Sequence, residues 1–241
     1  VTKMDLVREL DLMIEQHEAK THLRDLNVIA SPAQDIRATF DLMPTATVED
    51  WATISERMKA LPEAIDGYVA TLRRGIAEGV VPARRQVNEV VAQIARYTAD
   101  TGFFAEFVGN AAPAEGQLPA SLARDLDQNA GAARVAYDGL ASFLSSELAP
   151  VAGEADGVGR EMYALHSRQF LGAEIDLDET YDWGVEELAR MVAEQEAIAN
   201  EILPGASVEE AVAFLEKDES RKLRGTKALQ AWMQRTSDKA G

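Results

Sequence analysis

The chain has three histidines, His17, His22 and His166, and no cysteine. Any zinc site or near-neutral acid–base centre would therefore be built on those imidazoles together with carboxylates. His17-Glu18-Ala19-Lys20-Thr21-His22 invites comparison with the HExxH zinc motif. That motif sets its histidines four apart, about 40° around a helix, whereas a gap of five puts them about 140° apart. On a continuous helix both rings cannot reach one tetrahedral ion, so this spacing predicts two exposed histidines. His166 sits differently. Tyr163, His166 and Phe170 fall on one side of a helix starting near Arg160, with Met162 and Leu165 widening the apolar stripe. Two readings stay open: a core histidine satisfied by a neighbouring hydroxyl or carboxylate, or an imidazole lining a groove and binding a ligand's polar group. In the second, Arg160, Tyr163 and Tyr181 are its natural companions.

Other reactive patterns are thin. Acid pairs such as Glu186/Glu187 and Glu209/Glu210 could do acid–base work or hold a metal, but on an outward helix face they are solvated. The inward Glu-x-x-His pairs of di-metal bundles do not occur. Neither does a phosphate-cradling GxxxxGK[ST] or GxGxxG loop, nor a GxSxG elbow. Arg73-Arg74 and Arg84-Arg85 flank the Gly79–Pro82 turn, where they could grip a carboxylate or simply keep the turn soluble.

The elements that must position these residues are helical. Residues 3–26 read as a first helix with Leu6, Leu10, Met13, Ile14 and Leu23 inward, closed before Pro32. Thr47-Val-Glu-Asp50 resembles a capping box and opens a helix carrying Trp51, Ile54, Met58 and Leu61. Pro62 starts another, with Ile65, Tyr68, Val69, Leu72 and Ile76, that stops at Gly79. Pro82 opens the next, aligning Val87, Val90, Val91, Ile94 and Tyr97. Phe103, Phe104, Phe107 and Val108 cluster before a loop at 109–119. A long helix follows from about Pro119 to Leu148, and Gly153–Gly159 is a second turn. Asp176-Leu-Asp178 places acids at the positive end of a long amphipathic helix. That helix runs through Tyr181, Val185, Leu188, Met191, Val192, Ile198 and Ile202 until Pro204-Gly205. Ser207-Val-Glu-Glu210 caps a shorter helix, and the last carries Leu223, Leu229, Trp232 and Met233. No stretch alternates as a strand. The prediction is an all-α protein, a multi-helix array of long antiparallel amphipathic helices without significant sheet. The organisation expected is an N-terminal helical subdomain at 1–108, the loop at 109–119 and a C-terminal helical subdomain at 120–241, together forming one helical lobe.

Composition narrows the partners. With 241 residues and a net charge of -17, the chain opposes nucleic acid and anionic membrane, both of which attract surplus Lys and Arg. No apolar run reaches the ~18 residues of a membrane span, and no signal peptide is evident, so a cytoplasmic location is expected. Charge is uneven: residues 171–220 balance at -13 and residues 221–241 at +5. Either these are two solvated faces, or the basic tail docks on the acidic helix.

Several landmarks occur in a familiar order: Leu26-Asn-Val-Ile-Ala-Ser-Pro32, Phe40-Asp-Leu-Met-Pro44, Thr47-Val-Glu-Asp-Trp51, Gly159-Arg-Glu-Met-Tyr163 and Glu179-Thr-Tyr-Asp-Trp-Gly-Val-Glu-Glu-Leu188. Together they resemble the bacterial "domain of unknown function 885" family over most of residues 20–235. That family is similar to zincin-like metallopeptidases of the helical, deep-cleft kind, whose histidine- and glutamate-rich metal motif lies in a C-terminal half. The resemblance therefore implies an N-terminal helical lobe forming one wall of a substrate cleft. It would hold no catalytic or metal residue and no cofactor of its own, with zinc implied only for a missing C-terminal half. The partners implied are that missing lobe and, in the longer protein, a peptide substrate. Arg160, Tyr163, His166 and Tyr181 are the candidate cleft-lining residues. The alternative is a self-sufficient helical binding or scaffolding module. A lobe should expose an apolar patch where its partner docks, and a module should carry a closed polar surface.

Overall fold

Every regular element in the computed structural model, which describes residues 2–114 and 117–240, is helical. Glu115 and Gly116, in the middle of the expected 109–119 loop, lie outside the described residues, as do Val1 and Gly241. The helices are α1 (Thr2–Glu18), α2 (Pro32–Ala38), α3 (Val48–Lys59), α4 (Leu61–Glu78), α5 (Arg84–Thr98), α6 (Phe103–Gly109), α7 (Ala120–Phe143), α8 (Arg160–Leu171), α9 (Leu177–Ile202), α10 (Val208–Glu216) and α11 (Thr226–Ala240). Extended pairing among the described residues amounts to a lone parallel bridge between Ala83 and Gly153. The chain divides into two compact units, residues 1–173 and 174–241.

The first unit is assembled on α7, which packs against α3, α4, α5 and α6. Leu126, Ala130, Ala133, Tyr137, Leu140 and Phe143 recur every three or four residues and are all buried. The two alanines thin the stripe and let neighbouring backbones come close. The helix then widens into one π-helical turn, Leu144–Leu148, with Leu144 and Leu148 fully buried. Local signals set the helix ends as read above. Thr47 and Asp50 form the capping box of α3, and Gly79 ends α4 in the left-handed region at φ 71. Trp51, Ile54, Met58, Ile65, Leu72, Val87, Val90 and Ile94 are buried. An aromatic cluster closes one end: Phe104 meets Tyr137 at 5.5 Å and Trp51 meets Phe107 at 5.4 Å, while the Arg37 guanidinium lies 4.5 Å over the Phe103 ring.

The N-terminus departs from the expectation. The helix over 3–26 stops at Glu18, Lys20 turns left-handed (φ 57), and Thr21–Arg24 forms a 3-10 turn. Leu23 points inward and is buried, but Leu6, Leu10, Met13 and Ile14 are about half-exposed, not inward. The periodicity makes a helix but cannot say what covers its apolar face. α1 packs on α8 and on the 3-10 turn after it, and that leaves the stripe open.

In the second unit, α10 packs on α9. Asp176 caps α9, accepting from the Asp178 and Glu179 amides, and Ser207 with Glu210 forms the capping box of α10. Burial is slight: among its described residues only Ala199 and Ala211 are buried. Tyr181, Val185, Leu188, Met191, Val192 and Ile198 of α9, and Leu229, Trp232 and Met233 of α11, are exposed. Arg190 pairs with Glu187 and Glu194 along α9, and Arg221, Lys222 and Arg224 pair with Asp218 and Glu219 close in sequence.

Candidate functional site

The chain reversal at Lys20 helps to form a concavity in the first unit. Glycine is the usual occupant of a left-handed position. Here Lys20 adopts it and bonds to Glu78 of α4 at 2.7 Å. The 3-10 turn that follows lies on Gly75 of α4, where a Cβ would run into the Leu23 carbonyl oxygen and come within 2.6 Å of the Val80 oxygen. Glycine is required there because two backbones touch.

Beyond the turn, residues 25–31 are irregular backbone held by side-chain amides. Asn27 Oδ1 accepts from the Ile29 and Ala30 amides, both at 2.8 Å. Gln86 Oε1 accepts from the Val28 amide at 3.2 Å, and Gln93 Nε2 donates to the Val28 carbonyl at 2.8 Å. Gln34 Nε2 donates to the Asn27 carbonyl and to Gln93 Oε1, at 2.9 and 2.7 Å. The Tyr68 hydroxyl donates to the Asp25 carbonyl at 2.7 Å. This network satisfies the backbone groups that a non-helical segment leaves unpaired.

The opposite wall is α8, tied to α1 by a hydrogen bond from Gln16 Nε2 to Gln169 Oε1, an Arg168–Glu15 ion pair and a hydrogen bond from Arg8 to the Gly172 carbonyl at 3.0 Å. Between the walls lies a cleft of about 630 Å³, lined among others by Gln16, His22, Asp25, Asn27, Gln86 and His166. Asp156, on its rim, is bound by Arg85 at 2.7 Å. Crowding by the cleft walls, which strips water from the carboxyl, raises the pKa of Asp25. The Asp35 carboxylate adds to the rise and His166 opposes it.

His166 is exposed and lines this cleft, so it is not a core histidine. Arg160 lines an adjoining depression with Glu15, Glu18, Glu161 and Arg168. Tyr163 is 55% exposed on α8. Tyr181 belongs to the first turns of α9, in the other unit. The rings of His17 and His22 lie parallel, their centroids 4.9 Å apart. The 140° separation holds only for a continuous helix, and the reversal at Lys20 folds His22 back over His17. Even so, among the described residues no group of three or more histidine or acidic side chains is arranged to hold a metal ion. These residues do not fit a zinc ion. The arginine pairs bind the protein's own carboxylates: Arg73 grips Glu147, Arg74 binds Glu78, and Arg84 reaches Glu154 and the Ala149 and Ala152 carbonyls.

Gln16, Asp25 and Gln86 were not among the candidates read from the sequence, and His22 was read only as an exposed histidine. The one available signal was Leu26–Pro32, a landmark of the resemblance whose Asn and Pro mark irregular backbone, and it forms a cleft wall.

Residues 1–241 match the family described as "Bacterial protein of unknown function (DUF885)". This chain belongs to the DUF885 family. A crystal structure described as that of "the putative lipoprotein from Colwellia psychrerythraea" has the same fold as this DUF885 chain, with a TM-score of 0.64 at 16% identity. The likeness covers 87% of this chain and 38% of that one, so the DUF885 chain spans well under half the length of this solved relative. Comparison with curated proteins found no match. No helix among the described residues is long and apolar enough to cross a membrane.

Proposed function

We propose that this DUF885 chain is the N-terminal helical lobe of a larger hydrolase of the zincin-like metallopeptidase kind, forming one wall of a substrate cleft. The observation that carries the reading is the open apolar surface. α1 exposes Leu6, Leu10, Met13 and Ile14, and α9 exposes Tyr181, Val185, Leu188 and Ile198. Soluble monomers rarely leave such faces bare, and a self-sufficient module would close them. The length of the Colwellia protein supports the same reading, since that chain has room for a second lobe.

In this proposal the remaining lobe of the same protein docks on these faces and holds the catalytic zinc, and a peptide is the substrate. Arg160, Tyr163 and His166 on α8 contribute to the substrate-facing surface of the first unit, and Tyr181 on α9 to that of the second. This chain's own part is binding and orientation. Its net charge of -17 disfavours nucleic acid and anionic membrane as partners. A cytoplasmic site of action completes the proposal, and cell fractionation of the native protein tests it.

The functional test uses the natural gene product carrying this sequence beside residues 1–241 alone. Chelator-sensitive peptide hydrolysis is expected of the first and not of the second. Hydrolysis by residues 1–241 alone, or none by the natural product, overturns the reading.

A further inference from the structure

The first-unit cleft holds two charges of opposite sign that the fold does not use. Most charged side chains around it are committed: Asp156 to Arg85, Glu78 to Lys20 and Arg74, and Glu15 to Arg168. Arg24 and Asp25 both line the cleft, yet neither makes an ion pair among the described residues. The Asp25 main chain is fixed by Tyr68, and the segment after it by Asn27, Gln34, Gln86 and Gln93. These two side chains therefore stand on rigid backbone, which lowers the entropy cost of engaging a ligand. Between them and α8 lie groups suited to uncharged polar atoms: the imidazoles of His22 and His166, and the amides of Gln16 and Gln169. Val158 and Met162 supply apolar contact. The volume, about 630 Å³, lies inside the usual range for small-ligand pockets.

We propose that this cleft binds a small zwitterion of amino-acid to dipeptide size, with Asp25 taking the ammonium end, Arg24 the carboxylate end, and His166 and the Gln16 and Gln169 amides the polar groups between. Arginine suits a carboxylate because its planar fork donates two parallel bonds. An ammonium placed by Asp25 pairs with a carboxylate that makes no ion pair with a lysine or arginine among the described residues. The choice of peptide-derived ligands rests on the peptidase reading above, but the site itself does not. It needs no metal and no second lobe.

The test is a titration of residues 1–241, free of metal, with L-alanyl-L-alanine, its N-acetyl form, its C-terminal amide, and free alanine, followed by calorimetry and by amide shifts of residues 21–29 and 160–170. The free dipeptide or free alanine is expected to bind, and capping either end to weaken it roughly tenfold or more, the worth of one charge-assisted bond. Asp25→Asn should erase the penalty for N-acetylation, and Arg24→Gln the penalty for amidation, with circular dichroism unchanged for both. Equal affinity for capped and free ligands overturns the proposal, as do unchanged affinities in both variants or an absence of shifts at these residues. Since only binding is read, a lobe that binds the dipeptide while its natural parent fails to hydrolyse peptides keeps this inference and loses the peptidase reading. A natural parent that hydrolyses peptides, with a lobe that binds no dipeptide, keeps the peptidase reading and loses this inference.

Discussion

The Tyr137 hydroxyl, on the central helix α7, donates to the Ala33 carbonyl of α2 at 3.0 Å, joining residues 104 apart in sequence. The ring is fully buried between Phe104 and Tyr97. Burial raises the pKa of the phenol, so the group stays a neutral donor. Tyr137→Phe keeps the packing and removes one bond, and is expected to cost about 1 kcal/mol in denaturant unfolding. Tyr137→Ala also leaves a cavity and should cost about 3–5 kcal/mol. Equal losses in the two variants would show that the packing contributes nothing beyond the bond.

Two glycines of α4 make a matched pair. Gly75 faces the Leu23 and Val80 carbonyls, whereas a Cβ at Gly67 meets nothing within 4 Å. Gly67→Ala should stabilise by about 0.5–1 kcal/mol through helix propensity alone. Gly75→Ala should destabilise despite the same gain, because two backbones must move. It should also shift the amide resonances of residues 21–29, which wall the cleft. Stabilisation by both substitutions would rule out the close approach.

Lys20 and Arg74 bind the Glu78 carboxylate from two sides and hold its pKa at about 2. A folded-state value below the unfolded one means the carboxylate contributes stability above the ordinary pKa of 4.5. That contribution is lost as pH falls from there through about 2. Wild-type protein should therefore lose stability more steeply over this window than Glu78→Gln. Parallel curves from thermal melts at several pH values would show that the clamp does not stabilise the turn.

Exposure separates two leucines that the sequence treats alike. Leu126 is fully buried on α7, and Leu188 is 59% exposed on α9. Leu126→Ala should cost about 2–5 kcal/mol. Leu188→Glu should change stability by no more than about 0.5 kcal/mol while lowering binding of a hydrophobic dye. If Leu188→Glu unfolds the protein, α9 is covered in solution, and the support it lends to the lobe reading goes with it.

The places where the reading of the sequence succeeded and failed share one cause. Asp176, Ser207 and the Thr47–Asp50 box announced three helix starts, and Gly79 announced a stop, because a cap acts within a single turn. The stripe of α1 was equally regular, yet its inward assignment failed, since periodicity does not name a neighbour. The cleft was hidden more deeply still. His166 was singled out for its spacing, whereas Arg24 and Asp25 were read as the end of the helix over 3–26 and fall instead in and just after the 3-10 turn beyond Lys20, and Gln16 meets Gln169 across 153 residues.

By itself, then, the sequence determined an all-helical, acidic chain, those helix ends that carry a local cap or stop, and the order of landmarks that marks its family. These depend on interactions between residues a few positions apart. Only the tertiary structure decided that Lys20 reverses the chain, which apolar faces are covered, and that residues 16–29 and 156–169 enclose a common cleft. Those outcomes depend on what α4 and α8 present to a turn more than fifty residues away along the chain.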